Sequence, residues 1–194
     1  MSDTNFNKTY WSERWKTGET QWDVGQPTTP LKNYIDGLNE KTLKILVPGA
    51  GNGYEGIYLI EKGFANTIIM DICEEPLEAL RKNHGIKDSN LVLADFFEHK
   101  GQYGLILEQT FFCALDPKLR SQYVDKCYDL LVPGGKIAGV MFDCDFGNNH
   151  PPFGGSAEEY VKLFEKKFEI NIAPCYNSIP PRQNRELFVQ FVKK

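Results

Sequence analysis

Short apolar runs alternate along this chain with stretches in which apolar residues recur at helical spacing. Five runs are apolar enough to be strands buried on both faces: LKILVP (43–48), TIIMD (67–71), LVLAD (91–95), YGLILE (103–108) and KIAGVMF (136–142). The intervening patterns predict helices over YEGIYLIEK (54–62) and EPLEALRKN (75–83), and a further helix opened by Asp116-Pro117. We expect each helix to connect two neighbouring strands.

The last third of the chain changes this pattern. Pro133-Gly134-Gly135 is expected to end the Asp116 helix and turn the chain into the strand at 136–142. Ser156 and Glu159 form a capping-box pattern in front of the helix AEEYVKLFEKKF. Two β-like runs follow, FEINIAP (168–174) and ELFVQFV (186–192), and they predict an antiparallel hairpin.

Strands that alternate with helices predict a mainly parallel sheet with right-handed crossovers. The fold class is therefore α/β: a doubly wound, Rossmann-like sheet of seven strands, mainly parallel, with a terminal antiparallel hairpin. The expected organisation is one domain over 1–194, in which 1–40 form an N-terminal lid segment and 41–194 the α/β core. All three tryptophans lie in the lid segment.

Composition and charge exclude several classes of partner. The formal net charge is -4, which argues against nucleic acid, because phosphate binding needs a basic surface. Apolar runs fall short of the roughly 20 residues of a membrane span, and the N-terminus lacks the apolar region of a signal peptide. The five cysteines form no CxxC pair and are expected to be free thiols. We expect a cytoplasmic monomer without metal, membrane or nucleic-acid partner.

In an open α/β sheet the ligand lies beyond the carboxyl ends of the strands. The turn Pro48-Gly49-Ala50-Gly51-Asn52-Gly53 follows the first strand, where glycines let the backbone approach a ligand. Asp71 ends the second strand, 20 residues after Gly51, and can accept both hydroxyls of a ribose. A tight structural turn and a solvated helix cap are the alternatives at these two positions.

The loops after the third and fourth strands carry the remaining candidates. Asp95 can accept from an adenine amino group, and Phe96 can contact the ring, although a core phenylalanine beside a surface aspartate gives the same pattern. The segment 108–113 places polar groups such as Gln109 where the reacting end of a ligand would lie. Trp11 and Trp15 share a helical face, and aromatic faces attract a desolvated sulfonium, although such a stripe also packs.

These motifs together resemble the thiopurine S-methyltransferase superfamily, and in particular its thiol and halide methyltransferase branch. The resemblance covers the chain from about Tyr10 to the C-terminus. Its "TPWD" and "LVPGCGxG" boxes are matched at 20–23 and 46–53, and its "GLDIS", "DVF" and "FDYVFFCAI" boxes at 70–72, 95–97 and 107–115. Pro48 is distinctive, because most methyltransferases have an acidic residue there.

The resemblance implies a class I methyltransferase that uses S-adenosylmethionine, with S-adenosylhomocysteine as product, and that methylates a small sulfur nucleophile or a halide. It implies cofactor contacts from Trp11, Trp15, Trp22, Gly49, Asp71, Asp95, Phe96 and Gln109, to which the turn adds Gly51. Three positions depart from the branch: Ala50 replaces Cys, Glu108-Gln109 replaces Asp-Tyr, and Phe142 stands where Tyr is frequent. The last two put the acceptor's identity in question.

The acceptor is expected to be small, soft and anionic, such as bisulfide, thiocyanate, a thiolate or a halide. No Ser-His-Asp or Cys-His arrangement is visible, and such anions need no general base. The pocket candidates are Gln109, Phe142, His150 and Arg182, with Arg182 as an anion attractor; solvated loop residues are the alternative for His150 and Arg182.

Other functions stay open at this point. An N- or O-methyltransferase of another small metabolite, a thiopurine-type S-methyltransferase and a cofactor-binding sensor without activity share these features. A nicotinamide oxidoreductase is disfavoured, because a G-x-G-x-x-G turn that begins at Gly49 would need glycine where the chain has Tyr54, and because that fold lacks the hairpin.

Overall fold

A computed structural model describes residues 6–194 of the chain. The first five positions of the predicted lid segment lie outside the described residues. Six α-helices are present in this part of the chain: α1 (Lys8–Thr17), α2 (Thr29–Asp36), α3 (Tyr54–Glu61), α4 (Glu74–His84), α5 (Arg120–Leu130) and α6 (Ala157–Phe164). The seven strands are β1 (Ile45–Pro48), β2 (Thr67–Asp71), β3 (Leu91–Leu93), β4 (Tyr103–Gln109), β5 (Leu131–Phe142), β6 (Phe168–Pro174) and β7 (Glu186–Lys193).

The strands form one sheet in the order β3-β2-β1-β4-β5-β7-β6. The five strands from β3 to β5 are parallel to their neighbours, whereas β7 pairs antiparallel with both β5 and β6. The strand order reverses between β1 and β4, which creates the crevice where open α/β sheets bind ligands. The predicted doubly wound sheet and its terminal hairpin are confirmed.

Both faces of the sheet are covered, which explains the continuous apolar runs. Ile45 and Val47 of β1 pack with Leu31 and Ile35 of α2 on one face, and Leu46 joins the larger cluster under α5 and α6 on the other. Leu31 and Ile35 have no exposed surface. The structure therefore places the end of the predicted lid segment 1–40 in the core, and only the chain before Thr28 lies over the crevice.

The Pro-Gly-Gly turn differs from its predicted form. Strand β5 begins at Leu131, directly after α5, instead of at residue 136. Tyr103 pairs with Leu131 and Leu105 pairs with Lys136, so that 132–135 bulge out of the strand. Glycine is required at position 134, where φ is +73°. A local turn signal could not reveal that the residues before it would already pair with β4.

Helix ends agree with the sequence signals in part. The Ser156 hydroxyl accepts from the Glu159 amide at 3.2 Å, as the capping box predicts, but the Glu159 carboxylate pairs with Arg120 of α5. Asp116 caps the amide of Lys118 at the start of a 3₁₀ turn that leads into α5. At the other end of α5, the Lys193 ammonium donates to carbonyl oxygens of the last turn.

Candidate active site

A cavity of about 790 Å³ lies at the carboxyl ends of β1, β2, β4 and β5, and α1 covers it. Its size falls within the range of about 300–1,000 Å³ that is usual for small-molecule sites. The wall includes all but one of the residues predicted to contact the cofactor: Trp11, Trp15, Trp22, Gly49, Gly51, Asp71, Asp95 and Phe96. The loops selected from the sequence therefore meet in one place.

The glycine turn after β1 needs its glycines for different reasons. Gly49, Gly51 and Gly53 all have positive φ, between +53° and +67°, a region that L side chains rarely adopt. A Cβ on Gly51 would point at the Trp22 and Trp15 rings, 3.6 and 3.8 Å away, and would narrow the cavity, whereas one on Gly53 would meet Leu80 of α4. Gly51 is thus a position at which the backbone borders the cavity, whereas Gly53 is limited by packing against α4.

Asp71 ends β2 with its carboxylate buried at the edge of the cavity. Oδ2 accepts from the Gly51 amide at 3.1 Å, and Oδ1 accepts from the Cys73 amide at 2.9 Å. Burial raises the pKa of the carboxyl, while these amides oppose the rise. Each oxygen keeps a lone pair beyond its amide bond, so the carboxylate can still accept two hydroxyl groups.

The loop after β3 holds the next acidic group. Asp95 is half-buried, and its Oδ1 accepts from the Phe97 amide at 2.9 Å. Phe96 is buried, stacks on Tyr123 with ring centroids 5.4 Å apart, and belongs to both the core and the cavity wall. Phe96 is therefore a core residue that also borders the cavity, so both interpretations of its pattern apply.

The three tryptophans form one aromatic cluster above the glycine turn. The rings of Trp11 and Trp15 meet the Trp22 ring edge to face, with centroids 5.6 and 5.9 Å apart. All three rings are half-buried, and all three line the cavity. Helix α1 is held to α4 by polar contacts, in which Ser12 donates to Glu75 at 3.0 Å. This face of the cavity is built on a helix with little apolar anchoring.

The loop after β4 differs from expectation. The Gln109 side chain turns away from the cavity, and its Oε1 accepts from the Thr28 hydroxyl at 3.0 Å. Glu108 points into the opposite face of the sheet and is fully buried. Thr110, Phe111 and the segment 113–115 line the cavity instead. Successive side chains of a strand point to opposite faces, so polarity alone could not tell which one would reach the ligand.

The wall also contains Phe142 and Arg182, two of the residues predicted for the acceptor pocket. The Arg182 guanidinium lies 5.8 Å from the Phe142 ring centroid and donates through Nη2 to the Trp22 carbonyl at 3.2 Å. His150 is exposed and lies outside the wall, whereas the adjacent prolines at 151 and 152 line it. Because the chain turns at these prolines, the imidazole faces solvent.

Several wall residues were not singled out from the sequence. Arg185 lies three residues after Arg182 in the same loop, and its guanidinium sits over the Phe146 ring at 4.7 Å. Tyr10 and Arg14 each directly precede a tryptophan of α1 and widen the face that borders the cavity. The signal available for these residues was their spacing from recognised positions, because the types themselves are common on surfaces.

A G-x-G-x-x-G pattern is present in the glycine turn when it is read from Gly51, although it is absent when the turn is read from Gly49. Gly51, Gly53 and Gly56 form G-x-G-x-x-G at the start of α3. A Cβ on Gly56 would collide with Ile69 of β2, so this glycine serves helix–sheet packing. Spacing by itself therefore does not separate this turn from a dinucleotide-binding one. The antiparallel β7 between β5 and β6 makes the distinction.

The wall fits the methyl donor that the sequence implied. An acidic group at the end of β2, a second at the end of β3, a glycine facing the cavity and an aromatic cluster suit a nucleoside joined to a sulfonium. Such a site on this sheet defines a class I S-adenosylmethionine-dependent methyltransferase. Among solved structures, Burkholderia thailandensis 1,6-didemethyltoxoflavin-N1-methyltransferase with bound S-adenosylhomocysteine shares the fold, with a TM-score of 0.76 over 96% of this chain and 87% of that one, at 17% identity.

The comparisons with known sequences specify the family. A family model for thiopurine S-methyltransferase matches residues 6–193. The chain is 30% identical to the probable thiol methyltransferase 2 of Arabidopsis thaliana over 91% of its own length and 81% of the relative's. It is 27% identical to thiocyanate methyltransferase 1 of Brassica oleracea over 77% and 69% of the two chains. The chain belongs to the thiopurine S-methyltransferase family and is an S-adenosylmethionine-dependent methyltransferase.

Proposed function

We propose that this methyltransferase acts on a small, soft anion, namely thiocyanate, bisulfide, a thiolate or a halide. The observation that carries the proposal is the Arg182 guanidinium in the cavity wall. Its side chain is 11% exposed, and among residues 6–194 its Nη1 has no hydrogen-bond partner. A guanidinium in the cavity wall attracts an anionic ligand through its permanent positive charge.

An ion pair with Glu186 fixes the position of Arg182. Its Nη1 lies 3.5 Å from the nearer oxygen of the buried Glu186 carboxylate, and the other Glu186 oxygen accepts from the Ser178 hydroxyl. The carboxylate holds the guanidinium against the Phe142 ring and offsets the cost of burying its charge. Arg182 is thereby positioned by the protein, and its side chain forms part of the cavity wall.

Charges along the cavity wall support an anionic acceptor. Its described residues include four cationic side chains against two carboxylates, although the whole chain carries a formal charge of -4. The carboxylates, Asp71 and Asp95, lie at the ends of β2 and β3. Two of the cations, Lys8 and Arg14, lie on α1, whereas Arg182 and Arg185 lie beside Phe142 and Phe146. This distribution supports a nucleoside near the two carboxylates and an acceptor near the two arginines.

In this arrangement Asp71 receives the ribose hydroxyls, and Asp95 with the backbone beside Phe96 receives the adenine. Trp11, Trp15 and Trp22, together with the Gly49 and Gly51 backbone, enclose the sulfonium side. When bound, S-adenosylmethionine supplies an electrophilic methyl group whose transfer leaves an electron pair on its sulfur. Gln109 takes a supporting role, because its side chain is bonded to Thr28.

Proton transfer has no place in this reaction. Among the described residues the wall contains no histidine, and its one thiol, Cys113, has a pKa raised by burial. Asp71 and Asp95 are each bonded to backbone amides. An acceptor that arrives as an anion needs alignment and desolvation, which the aromatic wall and Arg182 supply. Thiocyanate and halides are anions at any neutral pH.

We propose in addition that the enzyme is a monomer and that it acts in the cytoplasm. All five cysteines are free in the structure, which suits such a compartment. In residues 6–194 no helix is both long and apolar enough to cross a membrane. The negative net charge supports a small-molecule acceptor over nucleic acid.

The test is methyl transfer from labelled S-adenosylmethionine to thiocyanate, bisulfide, iodide and thiophenol. We expect turnover with at least one of these, and Arg182→Gln should raise the acceptor KM at least tenfold while calorimetry shows an unchanged Kd for S-adenosylhomocysteine. Arg81→Gln, whose guanidinium pairs with Asp88 on the surface, is the matched control. Cofactor binding without transfer to any anion would contradict the proposal and favour a nitrogen or oxygen acceptor, or a sensor.

A further inference from the structure

Glu108 is a fully buried carboxyl immediately behind the cavity wall. Its Oε1 accepts from the backbone amides of Phe111 and Phe112 at 2.8 and 2.9 Å, and its Oε2 accepts from the Tyr123 hydroxyl at 2.8 Å. It forms no ion pair with any cation in residues 6–194. Burying a carboxyl without a cation is costly. Glu108 offsets this cost by accepting the two amides and the hydroxyl, which an apolar residue at this position could not do.

The turn that Glu108 holds is strained. Thr110 has φ +58°, a left-handed conformation that is a genuine outlier for a β-branched residue. Its carbonyl accepts from the Cys113 thiol, and its hydroxyl donates to the Gln109 carbonyl. Such a conformation persists when the surroundings over-determine it, and the two amide bonds to Glu108 begin at the very next residue.

The strained turn forms part of the cavity wall. Thr110, Phe111 and Cys113 all line the cavity, and Phe111 also packs against Phe96, with ring centroids 5.1 Å apart. On the opposite face of the sheet the neighbouring Gln109 is tied to Thr28. The loop is thus anchored from both faces at consecutive residues, which fixes where its backbone and side chains meet a ligand.

We propose that Glu108 is a positioning residue that sets the shape of the acceptor wall by holding the amides of Phe111 and Phe112. It is distinct from a general base, because it has no exposed surface and does not line the cavity. The assignment of this wall to the acceptor rests on the proposed function. The holding of the two amides does not, so the two ideas can fail separately.

Three variants separate geometry from charge. Gln at position 108 keeps a carbonyl oxygen for both amides and an N–H that can donate to the Tyr123 oxygen, whereas Ala leaves two buried amides unpaired. Glu108→Asp withdraws the carboxylate by one methylene, and it replaces Glu108→Ala in the test if the alanine variant does not fold. Glu98→Ala, at an exposed glutamate of the loop after β3, controls for loss of a carboxylate elsewhere.

We expect Glu108→Ala or Glu108→Asp to lower kcat/KM for thiocyanate by at least tenfold, with the S-adenosylhomocysteine Kd within about twofold of wild type. Glu108→Gln should remain within about threefold of wild type in both. Equal losses in the Gln and Ala variants would overturn the proposal, because the charge and not the amide geometry would then matter. So would a folded Glu108→Ala with unchanged kcat/KM.

Hydrogen exchange of the Phe111 and Phe112 amides gives a readout that needs no acceptor. Both amides should exchange slowly in wild type and Glu108→Gln, and at least tenfold faster in Glu108→Ala. If wild type methylates none of the anions but this exchange pattern holds, the proposed function fails and the positioning role stands. Protected amides in a folded Glu108→Ala would refute the positioning role whatever the activity.

Discussion

At the scale of single residues, Asp71 links the glycine turn to the cofactor end of the cavity. Asp71→Ala should weaken S-adenosylhomocysteine binding by about 1.5–3 kcal/mol, or about tenfold to a hundredfold in Kd, because bonds to a charged acceptor are lost. Titration calorimetry measures the change. Asp88→Ala, which removes a surface carboxylate paired with Arg81, should leave Kd unaltered. An unchanged Kd in a folded Asp71→Ala would remove Asp71 from the site.

Glu108 also makes stability depend on pH. Complete burial raises its pKa from 4.5 to about 7, against the pull of the two amides and the Tyr123 hydroxyl. Between pH 4.5 and about 7, Glu108 therefore keeps its proton in the folded state and has released it in the unfolded state. The free energy of unfolding should therefore fall as pH rises from about 4.5 to 7, by up to about 3 kcal/mol from this residue.

Denaturant unfolding at pH 5 and pH 7.5 measures this dependence. Burial also raises the pKa of Glu55, Asp71 and Glu186, so the wild-type slope is a sum of several groups. The informative quantity is the difference between wild type and Glu108→Gln, whose amide does not titrate. Identical slopes in the two proteins would mean that Glu108 is ionised in the folded state throughout this range.

At the scale of elements, the N-terminal forty residues divide into two parts with different anchoring. Helix α2 contributes Leu31 and Ile35 to the core, where each buried side chain is worth about 1.5–3 kcal/mol. Helix α1 is held to α4 by the contacts of Ser12 and Lys16 with Glu75. Thr28 marks the boundary, because its amide donates to the buried Glu55 carboxylate of α3 at 3.0 Å.

A pair of truncations tests this division. Removal of residues 1–27 should leave a folded sheet that has lost most of its affinity for S-adenosylhomocysteine, because the tryptophans are gone. Removal of residues 1–40 should unfold the protein, because the Leu31 and Ile35 contacts are lost as well. Circular-dichroism melting and calorimetry distinguish the two. A folded 1–40 deletion would show that α2 is dispensable for the core.

The aromatic cluster of α1 should respond to the cofactor without any deletion. Half-buried tryptophans in the cavity wall lose contact with water when a ligand fills the cavity, so intrinsic fluorescence should shift on addition of S-adenosylhomocysteine. Trypsin cleavage after Lys8, Arg14 or Lys16 should slow at the same time. If neither changes, the segment before Thr28 is equally ordered in both states.

At the scale of the whole molecule, the described cavity wall predicts the pH dependence of the reaction, because it contains no histidine and its two carboxylates are engaged by backbone amides. With thiocyanate or iodide the maximal rate should vary little from about pH 6 to 9, whereas with a thiol it should follow the thiolate fraction. If the maximal rate changes near neutral pH in wild type but not in Glu108→Gln, the change reflects titration of Glu108 beneath the loop 110–113. A sharp bell that His150→Ala abolishes would contradict this account, because His150 lies outside the wall.

The sequence predicted those site residues whose positions depend on neighbouring residues in the chain, and it failed for those whose positions depend on distant ones. The turn at 48–53 and Asp71 follow directly from buried strands, so their place at one edge of the sheet was predictable. His150 was misplaced relative to the cavity, because one turn of an irregular loop decides where an imidazole points. Gln109 was predicted to contact the ligand, whereas it binds Thr28, and Glu108 holds the loop that lines the cavity. The reason is related, because alternate residues of a strand face different helices.

The chain by itself determined its sheet, its terminal hairpin, its glycine turn and its family, because these depend on hydrophobic periodicity and on motifs a few residues long. Only the tertiary structure decided which polar groups are buried and what they hold. Arg182 meets the Trp22 carbonyl from 160 positions away, and Glu108 meets Tyr123 of a helix on one face while Gln109 meets Thr28 on the other. Burial raises the energetic cost of each such group and sets its partner, and burial is a property of packing between elements, which no local pattern contains.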